Sequence, residues 1–175
     1  MSTDIVWMDM EVSGYDEETD KILCFACFIT DKDANIKSEG PYFAINYPPE
    51  VYYTIKSEWY FILKGMGLLD CWDCPKVQPE QAEDLVLNYL KKNVPRKACP
   101  IAGESIHMQR PFIKKYMPSV DDYMNLNFVQ LVRRYSPDEG PKIITNNRCR
   151  DDLLFNINEL NFYKGEIKKL CGPKV

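Results

Sequence analysis

The chain has 175 residues, an apolar content of 45%, a formal net charge of −4 and a sequence pI of about 5.1. These values are typical of one globular domain over residues 1–175, long enough to bury a substantial core. The negative net charge argues against a sequence-independent grip on long nucleic acid, which needs many Lys and Arg contacts to phosphates. It does not exclude a short oligonucleotide held through metal ions and base stacking.

No apolar run approaches the about 20 residues of a transmembrane helix, and Met1–Asp4 leads directly into a predicted strand. We therefore predict an intracellular protein, cytoplasmic or nuclear, with neither a signal peptide nor a transit peptide and with no membrane association. The seven cysteines are expected to be reduced there. Cys24/Cys27 and Cys71/Cys74 have C-x-x-C spacing. The long gap between the pairs, and the strand predicted around the first, favour buried core thiols over structural zinc.

The predicted elements begin with three strands. Ile5–Met8 is an apolar run near the N-terminus, and Lys21–Asp31 contains a continuous apolar run typical of a strand buried on both faces. Ile36–Asn46 is predicted to be a third, irregular strand, in which Pro41 favours an edge position. The short turns between these strands predict an antiparallel meander.

The remainder of the chain is predicted to be mainly helical. The clearest helix is Glu80–Val94, where apolar residues follow helical spacing, acids occupy the first turn and lysines the last. Phe128–Tyr135 fits either a helix or a strand–helix junction. The other predicted segments are the loops Tyr47–Ile55 and Cys71–Pro79, the strand Pro100–Gly103, and helices near Ser57–Trp59, over Ser105–Tyr116 and over Asp151–Leu170. This order predicts an α/β domain whose mixed sheet, antiparallel strands first, is flanked by helices.

Two acids, Asp9 and Glu11, follow the first apolar run two residues apart. In a strand, residues i and i+2 project from the same face, so the two carboxylates are expected to lie side by side. Carboxylates this close repel each other unless a cation lies between them, and Mg²⁺ prefers such oxygen ligands. A two-metal site for phosphoryl transfer needs further acids. Asp151 and Asp152, at the start of the last predicted helix, are candidates because α/β sites lie near strand ends.

Several segments match the motifs of one known family. Ile5–Asp16 resembles I-V-W-x-D-x-E-x-[ST]-G-L-D, Gly103–Phe112 resembles G-N-S-I-x-x-D-R-x-F, and Asn147–Asp152 resembles H-x-A-x-D-D. Lys115–Pro118 matches the residues that follow the second motif in that family. Together these segments resemble the oligoribonucleases, which are DEDD-type 3′→5′ exonucleases with a ribonuclease-H-like fold. The resemblance implies that fold, and it implies a homodimer.

The resemblance also assigns roles to individual residues. Asp9, Glu11 and Asp152 fall on carboxylates that bind Mg²⁺ or Mn²⁺ at the catalytic site of the family. Trp59 falls in a segment that carries a substrate-stacking tryptophan, and Tyr15 replaces a leucine that wedges against a base. Ser105 and Arg110 belong to the segment that meets the 3′-terminal phosphate end. The implied substrate contacts are therefore Tyr15, Trp59, Ser105 and Arg110.

Two of the five catalytic positions depart from the family pattern. Gln109 stands where the third carboxylate is expected, and Asn147 stands where the general-base histidine is expected. A neutral Gln weakens metal binding, and Asn has no basic lone pair near neutral pH. General-base catalysis alone contributes about 10²–10⁴-fold. The chain's one histidine, His107, is expected to be a surface residue at a helix start rather than a substitute base.

These departures predict a degenerate site. We expect a catalytically impaired pseudo-exonuclease that binds the ends of short single-stranded RNA or nucleotides, or a protein partner. One alternative is an active metal-dependent 3′→5′ exoribonuclease on short oligoribonucleotides. The other is a purely structural or interaction subunit.

Overall fold

A computed structural model describes residues 4–65, 69, 74–103, 105–124, 128–130 and 149–171, with residues 128–130 and 166–171 described by their backbone alone. The strands are β1 (Ile5–Val12), β2 (Ile22–Thr30), β3 (Ile36–Ile45), β4 (Lys76–Val77), β5 (Ile101–Gly103) and β6 (Phe128–Gln130). The helices are α1 (Pro49–Tyr53), α2 (Ser57–Gly65), α3 (Pro79–Asn93), α4 (Ile106–Tyr116), α5 (Pro118–Tyr123) and α6 (Cys149–Cys171).

The strands form one mixed sheet in the order β4-β3-β2-β1-β5-β6. The pairs β1–β2 and β2–β3 are antiparallel, whereas β3–β4, β1–β5 and β5–β6 are parallel. The antiparallel meander and the mixed α/β sheet predicted from the sequence are therefore confirmed. Every residue of β2 is buried, as expected for a strand covered on both faces.

Alternation along β1 sends its side chains into two separate cores. Val6, Met8 and Met10 pack on the face that α3, α4 and α5 cover. Trp7 packs on the opposite face, where Leu153 and other apolar residues of α6 cover the sheet. Asp9 and Glu11 follow Trp7 in steps of two along β1, so they face the same side of the sheet as α6.

The same alternation separates the first C-x-x-C pair. Cys24 lies in the core beneath α6, and Cys27 lies in the core on the other face. Both thiols are fully buried. The prediction of core thiols rather than a shared zinc site for this pair agrees with the structure. The Cys71 position lies outside the described residues.

The structure corrects three of the predicted elements. The predicted loop Tyr47–Ile55 contains α1, which has a proline in its first turn, where a missing N–H costs nothing. The predicted loop Cys71–Pro79 contains β4, which pairs with the end of β3, so β3 is not the edge strand there. A further helix, α5, begins directly at Pro118, where the sequence predicted only the end of α4.

Strand β1 continues past the apolar run to Val12, and α2 continues past Trp59 to Gly65, whereas the other boundaries differ by a residue or two from the sequence-based ranges. Of the ambiguous segment Phe128–Tyr135, the first three residues form β6, and the others lie outside the described residues. Within the described part of the chain, no helix combines the length and the apolar character needed to cross a membrane.

Candidate active site

The candidate site lies at the carboxyl end of β1. The parallel strand β5 pairs with β1 at Val6 and Trp7 and ends at Gly103. A Cβ at Gly103 would lie 2.5 Å from the backbone oxygen of Met8, so this close approach requires glycine. Beyond this point helix α4 flanks β1, and a side chain from the helix reaches Asp9.

Three carboxylates converge there. One oxygen from each of Asp9, Glu11 and Asp152 lies within 4.8 Å of the others. Asp9 and Glu11 share the face of Trp7 because they follow it in steps of two. Leu153 anchors the first turns of α6 on that face, which brings the neighbouring Asp152 to the pair. The structure thus brings together all three acids assigned from the sequence, in an arrangement that suits a hard divalent cation.

The electrostatics of this cluster favour a cation. Burial, together with the neighbouring negative charges of Asp9 and Asp152, raises the pKa of Glu11 from 4.5 to about 8. A divalent cation among the three carboxylates would remove this repulsion and favour the ionised form. The donor set therefore fits Mg²⁺ or Mn²⁺, both of which prefer oxygen ligands.

Gln109 on α4 contacts the same cluster. Its Nε2 atom donates hydrogen bonds to Oδ1 of Asp9 at 2.5 Å and to the backbone oxygen of Met10 at 3.3 Å. Its Oε1 atom is buried and has no hydrogen-bond partner among the described residues. The amide thus supplies a donor to Asp9 at the position where the family resemblance places a third acid.

A cavity of about 230 Å³ opens beside the carboxylates. The rings of Tyr15 and Trp59 meet edge to face in its wall, with centroids 4.6 Å apart and an interplanar angle of 84°. Tyr15 is 63% exposed, so its ring is available to a ligand. The cavity wall includes Asp9, Glu11, Tyr15, Trp59, Ser105 and Gln109. A space lined by aromatic rings next to clustered acids suits a nucleotide whose base stacks and whose phosphate approaches a bound cation.

The sequence left some of the cavity residues unassigned. Ile62 and Leu63 of α2 follow Trp59 by three and four residues and share its helix face. That helical spacing is the signal that predicts them once Trp59 is placed in the site. Met108 of α4 also lines the cavity, beside Gln109.

A buried carboxylate holds the turn that carries Tyr15. Asp20 is 7% exposed and accepts hydrogen bonds from the Ser13 hydroxyl at 3.1 Å and the Asp16 backbone N–H at 2.9 Å. Gly14 packs directly against it, because a Cβ there would lie 2.3 Å from Oδ2 of Asp20. Asp20 ends the acidic segment Asp16–Asp20, where the sequence pattern does not distinguish it from the other acids.

Other residues assigned from the sequence lie elsewhere. Arg110 does not line the cavity, and its Nε donates to Oδ1 of Asp121 at 3.0 Å, so its contact with phosphate stays a prediction. His107 is exposed and does not line the cavity either, in agreement with a surface role. Ser105, in contrast, lines the cavity, and its side chain makes no capping hydrogen bond to α4. Asn147 lies outside the described residues, so its role at the base position stays a prediction.

Comparison with known proteins decides the family. A model of the RNase T exonuclease family matches residues 6–140. The chain belongs to this exonuclease family. It is 45% identical to a probable oligoribonuclease of Drosophila melanogaster, over 97% of this chain and 84% of that protein. It is 35% identical to the human mitochondrial oligoribonuclease, over 97% of this chain and 75% of that protein.

Solved structures of exonuclease I share the fold of this exonuclease-family chain. An inhibitor complex of exonuclease I aligns with a TM-score of 0.64 and 14% identity, over 97% of this chain and 43% of that chain. A zinc-bound complex of E. coli exonuclease I with single-stranded DNA aligns with a TM-score of 0.62 and 13% identity, over 95% of this chain and 41% of that one. This chain therefore spans less than half of exonuclease I. The predicted oligoribonuclease resemblance and the ribonuclease-H-like fold are confirmed.

Proposed function

We propose that the protein is a metal-dependent 3′→5′ exoribonuclease that acts on short oligoribonucleotides. The observation that carries the proposal is the convergence of Asp9, Glu11 and Asp152 within 4.8 Å beside the cavity. The relatives that align with nearly the whole of this chain are named oligoribonucleases, and these names support the substrate class. They favour this activity over the catalytically impaired protein that the substitutions at Gln109 and Asn147 led us to expect.

One set of residues would act at the phosphate, and another set would bind the base. Asp9, Glu11 and Asp152 would hold Mg²⁺ or Mn²⁺, which supplies charge stabilisation at the phosphate and acidifies a bound water. Tyr15 and Trp59 bind the terminal base by stacking, and this contact fixes the position of the last phosphodiester bond. The Ser105 hydroxyl in the cavity wall is available to a phosphate oxygen. Hydrolysis of that bond adds water across it and releases a nucleoside monophosphate.

Gln109 could itself act as a neutral oxygen ligand to the metal. Rotation of its amide would turn the buried Oε1 atom, which has no partner among the described residues, toward a cation at Asp9. This exchange replaces a hydrogen bond with an oxygen–metal contact. The neutral ligand leaves more positive charge on the ions than a carboxylate does, so we infer weaker metal binding than in a site with four acids.

A second candidate function is supported by the contact of Gln109 itself. Because Nε2 of Gln109 already satisfies Oδ1 of Asp9, the site has a stable arrangement that needs no second cation. In this case the protein is a catalytically impaired exonuclease homologue that binds the ends of short RNA or a protein partner.

The two functions are separated by incubating the full chain with a 5′-labelled short RNA in Mg²⁺ or Mn²⁺. We expect stepwise shortening from the 3′ end, which Asp9→Ala and Asp152→Asn abolish. The matched control is Asp151→Asn, since Asp151 precedes Asp152 on α6 but lies outside the carboxylate cluster. Tight RNA binding without hydrolysis at any metal concentration would support the impaired protein, and no RNA binding would favour a structural subunit.

We further infer a single domain over residues 1–175, a homodimer and an intracellular location. The human relative is named as mitochondrial, which adds that compartment to the cytoplasmic and nuclear ones. Light scattering on the purified chain tests the dimer, and cell fractionation distinguishes the compartments.

A further inference from the structure

Two buried thiols meet beneath α6, apart from the proposed cation cluster. The Sγ atoms of Cys24 on β2 and Cys149 in the first turn of α6 are 2.9 Å apart, although 125 positions separate them in the chain. Both residues are fully buried. The contact lies within the apolar core that joins α6 to the sheet.

The spacing of the two sulfurs suits a covalent bond better than a metal ion. Tetrahedral zinc with Zn–S bonds of about 2.3 Å holds its sulfurs about 3.8 Å apart, farther than this pair. A disulfide bond needs about 2.05 Å, so the sulfurs must approach by less than about 1 Å. The two sulfur atoms are therefore within about 1 Å of bonding distance.

A third thiol gives this pair a route to solvent. Cys74 packs against the same core and is partly exposed, and its hydrogen bond to Cys24 contributes to the raised pKa of that thiol. Burial is the main cause that raises the pKa of both Cys24 and Cys149, which makes direct attack by either on a solvent oxidant slow. An oxidant that arrives from solvent meets Cys74 first.

We propose that Cys24 and Cys149 form a reversible disulfide, with Cys74 as the entry thiol and a low-molecular-weight disulfide as the oxidant. The Cys74 sulfur attacks one sulfur of the oxidant, loses its proton and releases one small thiol. The Cys24 sulfur then attacks the Cys74 sulfur and releases the second small thiol. Finally the Cys149 sulfur attacks the Cys24 sulfur, and Cys74 regains a proton as a thiol. Overall, one small disulfide becomes two small thiols, and two protein thiols become one disulfide.

The bond would join α6, which carries Asp152, to β2, which pairs with the strand that carries Asp9 and Glu11. Cys149 precedes Asp152 by three residues on α6, and Cys24 is the register partner of Glu11 in the β1–β2 ladder. A disulfide would fix the first turn of α6 to the sheet beside Glu11. It would also close a loop of 125 residues, which lowers the entropy of the unfolded chain. The oxidised protein should therefore hold α6 more firmly than the reduced protein does.

The test uses the reduced full chain incubated with oxidised glutathione, followed by digestion without reductant and mass spectrometry. We expect a cross-linked peptide containing Cys24 and Cys149, lighter by two hydrogen atoms than the two reduced peptides together. Hydrogen exchange in the first turns of α6 should slow, and the thermal midpoint should rise by about 5 °C or more. The matched control is Cys99→Ser, which removes a buried thiol from the other core and should leave the cross-link unchanged.

Two variants test the route. Cys74→Ser should slow formation of the same cross-link about tenfold or more, because the buried thiols then lack an accessible partner. In Cys149→Ala, the exchange reactions should stop at a Cys24–Cys74 disulfide. An unchanged rate in Cys74→Ser would overturn the entry role. An end product that lacks the Cys24–Cys149 bond, such as glutathione held on Cys74, would overturn the proposal. Neither result depends on nuclease activity.

Discussion

Gln109 donates a hydrogen bond from Nε2 to Oδ1 of Asp9 at 2.5 Å, joining α4 to the metal-facing strand across 100 positions of the chain. The donor neutralises part of the charge on Asp9, whereas an acid at the same place would add to it. A cation that binds at Asp9 must therefore compete with an existing hydrogen bond. This contact is therefore expected to lower the metal affinity that the three converging acids provide.

The first prediction concerns that position. Gln109→Asp should raise the affinity for Mn²⁺ about tenfold or more, equivalent to about 1.4 kcal/mol, because a fourth carboxylate faces the cation. The same variant should be less stable than the parent without metal, since it adds a like charge to the cluster. Titration calorimetry measures the affinity, and chemical denaturation measures the free energy of unfolding.

Gln109→Asn is the matched control for this prediction. The shorter amide disrupts the bond to Asp9 without adding charge, so we expect no gain in Mn²⁺ affinity. An equal gain in both variants would mean that loss of the hydrogen bond, rather than the added charge, strengthens metal binding.

The second prediction follows from the pKa of Glu11 in the metal-free protein. The folded state raises this pKa from 4.5 to about 8, so it binds the proton more tightly than the unfolded state does. The resulting stabilisation is fully present below about pH 4.5 and is lost as the pH rises through about 8. Between these values the free energy of unfolding should fall by about 2–4 kcal/mol from this group.

Urea denaturation of the chelator-treated protein at several pH values measures this loss. Glu11→Gln keeps the shape of the side chain but cannot ionise, so its free energy of unfolding should change less over the same range. A parent protein whose stability does not fall toward pH 8 would contradict the predicted burial of an acid among acids.

The third prediction concerns base stacking. Trp59→Ala should weaken binding of a short single-stranded RNA by about 1–3 kcal/mol, the usual contribution of one stacked base. The variant also removes the edge-to-face partner of Tyr15. Fluorescence anisotropy with labelled RNA, in a catalytically inactive Asp152→Asn background, measures binding without hydrolysis.

Phe61→Ala is the control, because Phe61 lies on the same helix and is 72% exposed but does not line the cavity beside the carboxylates. We expect this variant to bind RNA as the parent does. Equal losses from both substitutions would indicate that the RNA contacts α2 along its outer face instead of in the cavity.

The three acids of the candidate site could be predicted from the sequence by different arguments. Asp9 and Glu11 follow from strand alternation alone, since their spacing fixes a shared face. Asp152 required the family resemblance, because an acid at a helix start equally well complements the helix dipole. The bond from Gln109 to Asp9 could not be predicted, since it depends on how α4 packs across the end of β1.

Similar physical limits apply to the fold. The apolar spacing in α3 predicts a helix, and the structure confirms it. Leu85 belongs to that apolar spacing but is 43% exposed, because only part of the apolar helix face packs against the core. Strand β4 has two residues and is defined by its pairing with β3 instead of by its own pattern. Among the cysteines, C-x-x-C spacing indicates only pairs that are close in sequence. The close pair, Cys24 and Cys149, is distant in sequence and is found only when α6 is placed on the sheet.

The fourth prediction compares two glycines. Gly14→Ala should lower the free energy of unfolding by about 1–3 kcal/mol, because the new Cβ would lie 2.3 Å from Oδ2 of the buried Asp20. Displacement of that carboxylate breaks its bonds to Ser13 and Asp16 and shifts the turn that carries Tyr15. RNA affinity should therefore fall together with stability.

Gly65→Ala provides the matched comparison. A Cβ at this position, in the last turn of α2, meets nothing within 4 Å among the described residues. Alanine is the better helix former, so this change should be neutral or stabilising by up to about 1 kcal/mol. Urea denaturation of the two variants and the parent measures both effects. If Gly14→Ala were as stable as Gly65→Ala, Asp20 would have to move without cost. Asp20 would then not be the residue that fixes the position of Tyr15 at the cavity.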